Sequence, residues 1–369
     1  MIRRLLIYVL LLALPNCIGG DGWAVSTKAQ EPDASAAYVD SGLHVIVAVQ
    51  GHVGVKRRGW SNYAPAMFGT SLRRGDLLRL EELSHVKVVC AGLTISDATR
   101  GISGVPCPAA KPVLRYRGDL AIQTRGYKSV SFPVVISPRR TKLLNQHPTL
   151  RWTPIEGATN YRVIVRGGDL NWSTEVDSNT RLVYPENAPG LKARDAYKLI
   201  VIANNGRRSD EEAEPGLGFT VLTADEAKEV RRDEQRIREL GLPDVPTRLL
   251  IVYLYTAHGL YAESIDRLEE LSQPLQEPAP ARLLGDLYLA VGLSRAAETR
   301  YLLALELSKK ANDVEGQALG HEALGRIYES LGNRDQVTKH LKSALESFKQ
   351  VGDQRTVAQI EERLAMWKR

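Results

Sequence analysis

The chain has 369 residues, 43% of them apolar and 25% charged, with a formal net charge of +6. That length accommodates two or three domains with ordinary cores, and the composition excludes a collagenous, largely disordered or disulfide-dense protein. The charge is uneven: residues 41–150 carry 16 Lys and Arg against 5 Asp and Glu, whereas residues 223–369 carry 21 against 24.

Arg3 and Arg4 precede ten apolar residues, Leu5 to Leu14, and small residues follow at Gly22 and Ala24. A basic start, a short apolar stretch and a small-residue exit predict a signal peptide over residues 1–24. The apolar run is far shorter than the roughly 20 residues that span a bilayer as a helix. Acylation at Cys17 is the rival layout, but Asn16 stands where a lipobox has a small residue. Either way the expectation is export, to the periplasm or outside the cell, with no transmembrane segment once the leader is cleaved. Export argues against a nucleic-acid partner. The basic front half then points to an anionic envelope polymer or membrane surface, or is simply a solvated surface. In an oxidising compartment Cys90 and Cys107 can form a disulfide, which would stabilise the loop between them by roughly 3 kcal/mol; two free buried thiols are the alternative.

Residues 25–40 are polar and rich in Ala, Ser and Asp, as a spacer would be. Alternating apolar residues then predict strands: His44 to Arg57 reads as two short strands with a tight turn at Gly51, and Gly75-Asp76 punctuates the strands that follow. Val49, Gly51, Val53 and Val55, then Gly69, Leu72, Gly75 and Asp76, then Val86, Val88 and Gly92 resemble the signature of FecR-like domains, with Ala91 where the family often has Asp. The resemblance implies a small, non-catalytic β-rich module, placed at residues 41–137, with a linker at 138–148.

A second β block spans residues 149–222. Trp152 lies in its first strand, Tyr161, Val163 and Val165 alternate in the next, and Leu191 precedes Tyr197 by six residues. This layout resembles a fibronectin type III sandwich, with Trp152 in the core and Leu191 and Tyr197 forming a tyrosine corner.

From Thr223 the apolar period becomes helical. Thr223 and Glu226 have capping-box spacing, and Pro243 and Pro246 end the polar helix they open. Two segments then repeat at a shift of 40. Leu284-Gly285, Tyr288, Gly292, Ala297, Tyr301 and Ala304 correspond to Leu324-Gly325, Tyr328, Gly332, Val337, Leu341 and Ala344. Tyr255, Gly259, Ser264, Leu268 and Leu271 form a weaker copy. The repeats resemble tetratricopeptide units, at 246–272, 279–309 and 316–350, with residues 354–368 as an amphipathic helix over the open end. Gly285 and Gly325 are expected to admit the second helix of each pair, and Gly292 and Gly332 to form the turns. Neither a G-x-G-x-x-G nor a G-x-x-x-x-G-K-[ST] pattern occurs, which argues against phosphate-binding glycines.

The fold class expected is multidomain β plus α: an N-terminal β-rich module, a β-sandwich and a C-terminal tetratricopeptide solenoid over residues 223–369. What the resemblance implies is a protein or peptide partner on the concave face, with candidate contacts Tyr253, Arg282, Asp286, Glu322, Arg326 and Glu329. Arg282 and Asp286, like Glu322 and Arg326, have i,i+4 spacing and can equally be surface ion pairs worth about 0.3 kcal/mol. No catalytic, cofactor or metal constellation emerges, and the seven histidines show no ligand spacing. The function expected is an exported, non-enzymatic adaptor; the alternative is an anionic-glycan or cell-wall binder acting through the basic β half.

Overall fold

The computed structural model describes residues 42–98, 100–115, 131–212, 216–272 and 276–368. The leader, the 25–40 spacer and Cys17 lie outside them.

The first β region holds β1 (His44–Gln50), β2 (Val53–Lys56), β3 (Ala64–Pro65), β4 (Ser71–Leu72), β5 (Leu77–Leu80), β6 (His85–Val89), β7 (Ile95–Asp97) and β8 (Gly101–Gly104). These form two four-stranded antiparallel sheets, ordered β4-β1-β6-β7 and β3-β2-β5-β8. β1 and β2 flank the turn at Gly51 yet do not pair with each other. Gly51, with φ +75°, is a corner where the chain passes from one sheet to the other. Ser84 explains the corner: its hydroxyl accepts from the His52 N–H at 2.9 Å and would lie only 2.5 Å from a Cβ at position 51. Ile46, Val53, Val55, Leu72, Leu78, Leu80 and Val88 fill the space between the sheets. Cys90 and Cys107 are joined by a disulfide, with Cα atoms 5.5 Å apart.

The second β region comprises β9 (Val135–Ser137), β10 (Thr141–Leu143), β11 (Thr149–Trp152), β12 (Tyr161–Gly167), β13 (Leu170–Val176), β14 (Arg181–Val183), β15 (Lys198–Ala203) and β16 (Phe219–Val221). Sheets β14-β11-β9 and β13-β12-β15 share one core around Trp152, Tyr161, Val163, Val165, Tyr184 and Leu199. The Lys192 N–H donates to the Tyr197 hydroxyl at 2.7 Å, and Leu191 is buried beside it. Residues 138–148 are not a free linker: β10 pairs in parallel with β16, Thr141 opposite Phe219. The unit therefore takes in β9 and β10, upstream of the expected boundary.

Among the described residues eight helices follow: α1 (Ala224–Arg238), α2 (Asp244–Ala257), α3 (Tyr261–Ser272), α4 (Pro278–Ala290), α5 (Ser294–Lys310), α6 (Val314–Ser330), α7 (Arg334–Val351) and α8 (Gln354–Lys368). Thr223 and Glu226 cap α1 reciprocally. α2–α3, α4–α5 and α6–α7 are hairpins that share a turn chemistry. Gly259, Gly292 and Gly332 have φ of +76°, +79° and +64°, and the residue after each donates to the carbonyl of Tyr255, Tyr288 or Tyr328 at 2.9, 2.8 and 3.0 Å. This 6→1 closure needs a left-handed residue just past the helix. Within the hairpins a Cβ at Gly285 would touch the Tyr301 ring at 3.0 Å, and one at Gly325 would meet Leu341 at 2.7 Å. The small residue on the first helix thus makes room for the large one on the second. Ala297, Ala304, Val337 and Ala344 are all buried.

The tyrosines also join successive hairpins. Tyr288 donates to Glu269 on α3, and Tyr328 donates to Glu298 on α5. Tyr255 does the same to Glu234 on α1 at 2.7 Å, so α1 stands to α2 as the second helix of a preceding hairpin would. Burial first, and the adjoining carboxylate second, push the Tyr255 and Tyr328 hydroxyls up to about 12, which keeps them donors.

Neither β region is a bead on a string. Val45, Val47 and Val89, on the far face of β1 and β6, and Leu43 just before β1 share a core with Val230, Ile237 and Leu250 of α1 and α2. The second β region docks on α3: Lys142 N–H donates to the Gly259 carbonyl at 2.9 Å, and Arg151 meets Glu269 at 2.6 Å and Asp266 at 3.0 Å. Here Glu263 accepts from the Leu144 N–H at 2.7 Å, while its other oxygen is buried without a hydrogen bond. Burial pushes this carboxyl up to about 7, against the opposing pull of the Leu144 bond. The folded state therefore binds this proton more tightly than the unfolded chain. The linked stability is fully present below the ordinary Glu pKa and is lost as pH rises through about 7. Glu263→Gln is expected to hold its melting temperature between pH 6 and 9 better than the parent does. Parallel melting curves showing the same fall in both proteins would refute this.

Candidate partner-binding face

The first helices α4 and α6 lie side by side and carry charge patterns of opposite order. Arg282 and Asp286 on α4 correspond to Glu322 and Arg326 on α6, so acid on one helix is offered base by the next. Arg282 pairs with Asp286 at 3.3 Å and Arg326 with Glu322 at 2.6 Å. Arg363 of α8 then reaches Glu322 at 3.4 Å and Glu329 at 2.8 Å. Asp286 is fixed from below, because the Tyr301 hydroxyl, seated in the space that Gly285 leaves, donates to it at 2.6 Å. Burial pushes the Asp286 carboxyl up, and Arg282, the Tyr301 bond and Arg326 act to lower it. That influence of Arg326 ties the two helices electrostatically.

Five of the six residues expected at the face, Arg282, Asp286, Glu322, Arg326 and Glu329, thus belong to one network of alternating charge. It is closed at one end by Arg363. The Arg326 side chain is 47% exposed and that of Asp286 31%, so the network meets solvent.

Tyr253 does not join it. Its hydroxyl donates to the Gly69 carbonyl at 3.4 Å, and it lies under the first β region. The chain from Arg57 to Gly69 crosses the earlier turns of α4 and α6. Gly69 abuts Leu249 and Ala279, Ala64 enters the core of the third hairpin beside Ala318 and Val337, and Arg57 forks onto Glu315 at 2.9 and 2.8 Å. Beyond α6, the Asn62 N–H donates to the Val351 carbonyl at 3.1 Å, and the Trp60 indole to Asp353 at 3.1 Å. The first β region thus covers the earlier turns of α4 and α6, and the charged network lies beyond that cover.

Two clusters have ligand chemistry that the sequence did not bring together. His321 and His340, on facing helices, have Nδ1 atoms 2.9 Å apart. Burial, then neighbouring cations and, for His321, the partner imidazole, push both down to about 4. Lys309 and Lys339 are among those cations, so the pair sits in a positive field that disfavours a metal ion. His44, Cys90 and Cys107 bring ligand atoms within 4.8 Å of one another. Metal binding needs thiolates, though, and these sulfurs are bonded to each other.

The fold and face define a β-plus-α chain of several units, and no helix among the described residues is long and apolar enough to cross a membrane. No family model and no curated protein matches the chain. Among solved structures, BtubC (BKLC) from P. vanneervenii matches 39% of this chain at 23% identity and a TM-score of 0.27, and the match spans 60% of BtubC. A likeness that slight carries no argument about fold or function.

Proposed function

We propose that the chain is an exported, non-enzymatic adaptor. It combines a FecR-like module, a fibronectin type III-like sandwich and a short tetratricopeptide array, and it engages a protein partner through the α4–α6 face. The tyrosine-corner bond at Tyr197 supports the sandwich assignment, and the recurring Tyr–Gly turns and small-to-large contacts support the array. The observation that carries the function is the network from Arg282 to Arg363, whose side chains are 18% to 47% exposed. It alternates in sign, spans three helices and faces solvent where the covering β region stops. Such a face favours a peptide segment of mixed charge, whose ends can be exchanged for the intramolecular pairs.

Photo-crosslinking in source cells tests this. A p-benzoylphenylalanine at position 326 of the full chain is expected to capture one defined protein. The same group at position 302, exposed on α5, is expected to leave that protein uncaptured. Identical adducts from both positions, or none from either, would overturn the assignment.

A further inference from the structure

Many arginines among the described residues are tied into ion pairs, as Arg57, Arg139, Arg151 and Arg363 are; one surface departs from that habit. The outward face of the β3-β2-β5-β8 sheet presents Lys56 and Arg79, with Arg58 and Arg74 at its rim beside Gly75 and Arg100 just before β8. No carboxylate pairs with any of these five among the described residues. Asp76, two residues from Arg74, is buried and held by Arg57 at 2.6 Å, and the exposed Glu81 and Asp97 lie near Arg79 and Arg100 in sequence without pairing with them.

The face is also built. Gly54 lies opposite Arg79 in the β2–β5 register, and a Cβ there would press on Tyr63 at 3.3 Å. Its absence lets the Tyr63 ring settle against the strand. Arg79 then stands 4.6 Å from the ring centroid and Lys56 5.5 Å, within cation–π range. The ring holds both long side chains along the sheet, so less rotamer freedom remains to be lost on binding. Neighbouring strands lie about 4.8 Å apart, close to the advance of one pyranose unit along an extended glycan.

We propose that this sheet face binds a linear polyanionic glycan, its carboxylates or sulfates pairing with Lys56, Arg79 and the rim arginines. A membrane surface fits less well, since interfacial binding needs an apolar face to insert and Ile102 is the one exposed large apolar residue on this sheet among the described residues. The proposal is independent of the adaptor function, which uses the opposite end of the molecule's chemistry, α4 to α8.

The full chain would be titrated with a heparin decasaccharide, with polygalacturonate and with phosphatidylglycerol vesicles, at about 0.02 M and about 0.3 M salt. Expected are binding of at least one of the glycans, at least a tenfold weakening at the higher salt, and at least a tenfold loss in Lys56→Glu with Arg79→Glu. Arg58→Glu with Arg74→Glu, at exposed turn positions, is expected to weaken binding in the same direction and answers for any misfolding of the first pair. Reversal of Lys342 and Arg355, exposed on the helices, is expected to leave binding unchanged. Equal loss with that control, vesicle binding without glycan binding, or no glycan binding at low salt would each overturn the proposal.

Discussion

Replacing Glu212 with alanine is expected to destabilise the protein by about 3–5 kcal/mol, the cost of stranding a buried charge. The charge in question is Arg139, whose side chain is fully buried and forks onto both Glu212 oxygens at 2.6 Å. Its Nε donates to the Val291 carbonyl at 2.6 Å, so the same guanidinium caps the C-terminal end of α4, where a cation complements the helix dipole. Arg139 follows β9 and Glu212 follows β15 by way of a 3-10 turn, Ser209–Glu211. The pair is therefore a clasp between the second β region and the helices. Urea titration read by tryptophan fluorescence, which Trp152 and Trp172 dominate in the sandwich, and by helical circular dichroism checks this. Glu212→Ala should lower both midpoints. Arg139→Met combined with Glu212→Leu should regain most of the loss, because an apolar pair needs no counter-charge in the interior. A loss under about 1 kcal/mol for the single change would show that water reaches the guanidinium and that the clasp is not dry.

What the sequence makes legible follows from how local each interaction is. The helical hairpins could be read because their small residue, their turn and the large partner lie close together in sequence, from Gly285 to Tyr301, and recur at a shift of 40. The Tyr197 corner could be read because its hydrogen-bond partner, Lys192, lies five residues upstream. β10 was invisible for the opposite reason: three residues cannot display alternation, and its partner β16 is remote in sequence. Gly51 was legible as a turn but not as a corner, since the distinction rests on Ser84. At the face, the i,i+4 pairs on α4 and α6 were readable as pairs. Tyr301 and Arg363, which decide that those pairs form a network, come from other helices: Tyr301 was legible as a repeat position but not as the donor to Asp286, and Arg363 carried no repeat signal. Tyr253 fitted the same helical register, yet the first β region covers it, and nothing in the periodicity of α2 announces that.

Arg57→Ala is expected to cost a comparable amount, about 3–5 kcal/mol, and to loosen the third hairpin selectively. Arg57 joins three acceptors: the Asp76 carboxylate at 2.6 Å, the Ser71 carbonyl at 2.6 Å and both oxygens of Glu315. Burial acts to lower its pKa, and the two carboxylates outweigh burial, so the group is held more firmly charged than a free arginine. Asp76 is itself buried and also accepts from the Arg73 N–H. Removing the guanidinium leaves one carboxylate in the interior with a single backbone donor, and a second at the first turn of α6 with its fork gone. Lysine cannot substitute, since an ammonium offers a point charge where this site uses a planar fork in two directions. Hydrogen exchange gives the specific readout. In Arg57→Ala and Arg57→Lys alike, amides of α6, α7 and α8 should lose protection, because Ala64, Asn62 and Trp60 reach those helices on the segment that Arg57 anchors. Amides of β12 and β15, in the other β region, should keep theirs. If Arg57→Lys preserved the parent's protection in α6 to α8, a simple positive charge would be sufficient there, and the fork would not be what binds the first β region to the end of the helical array.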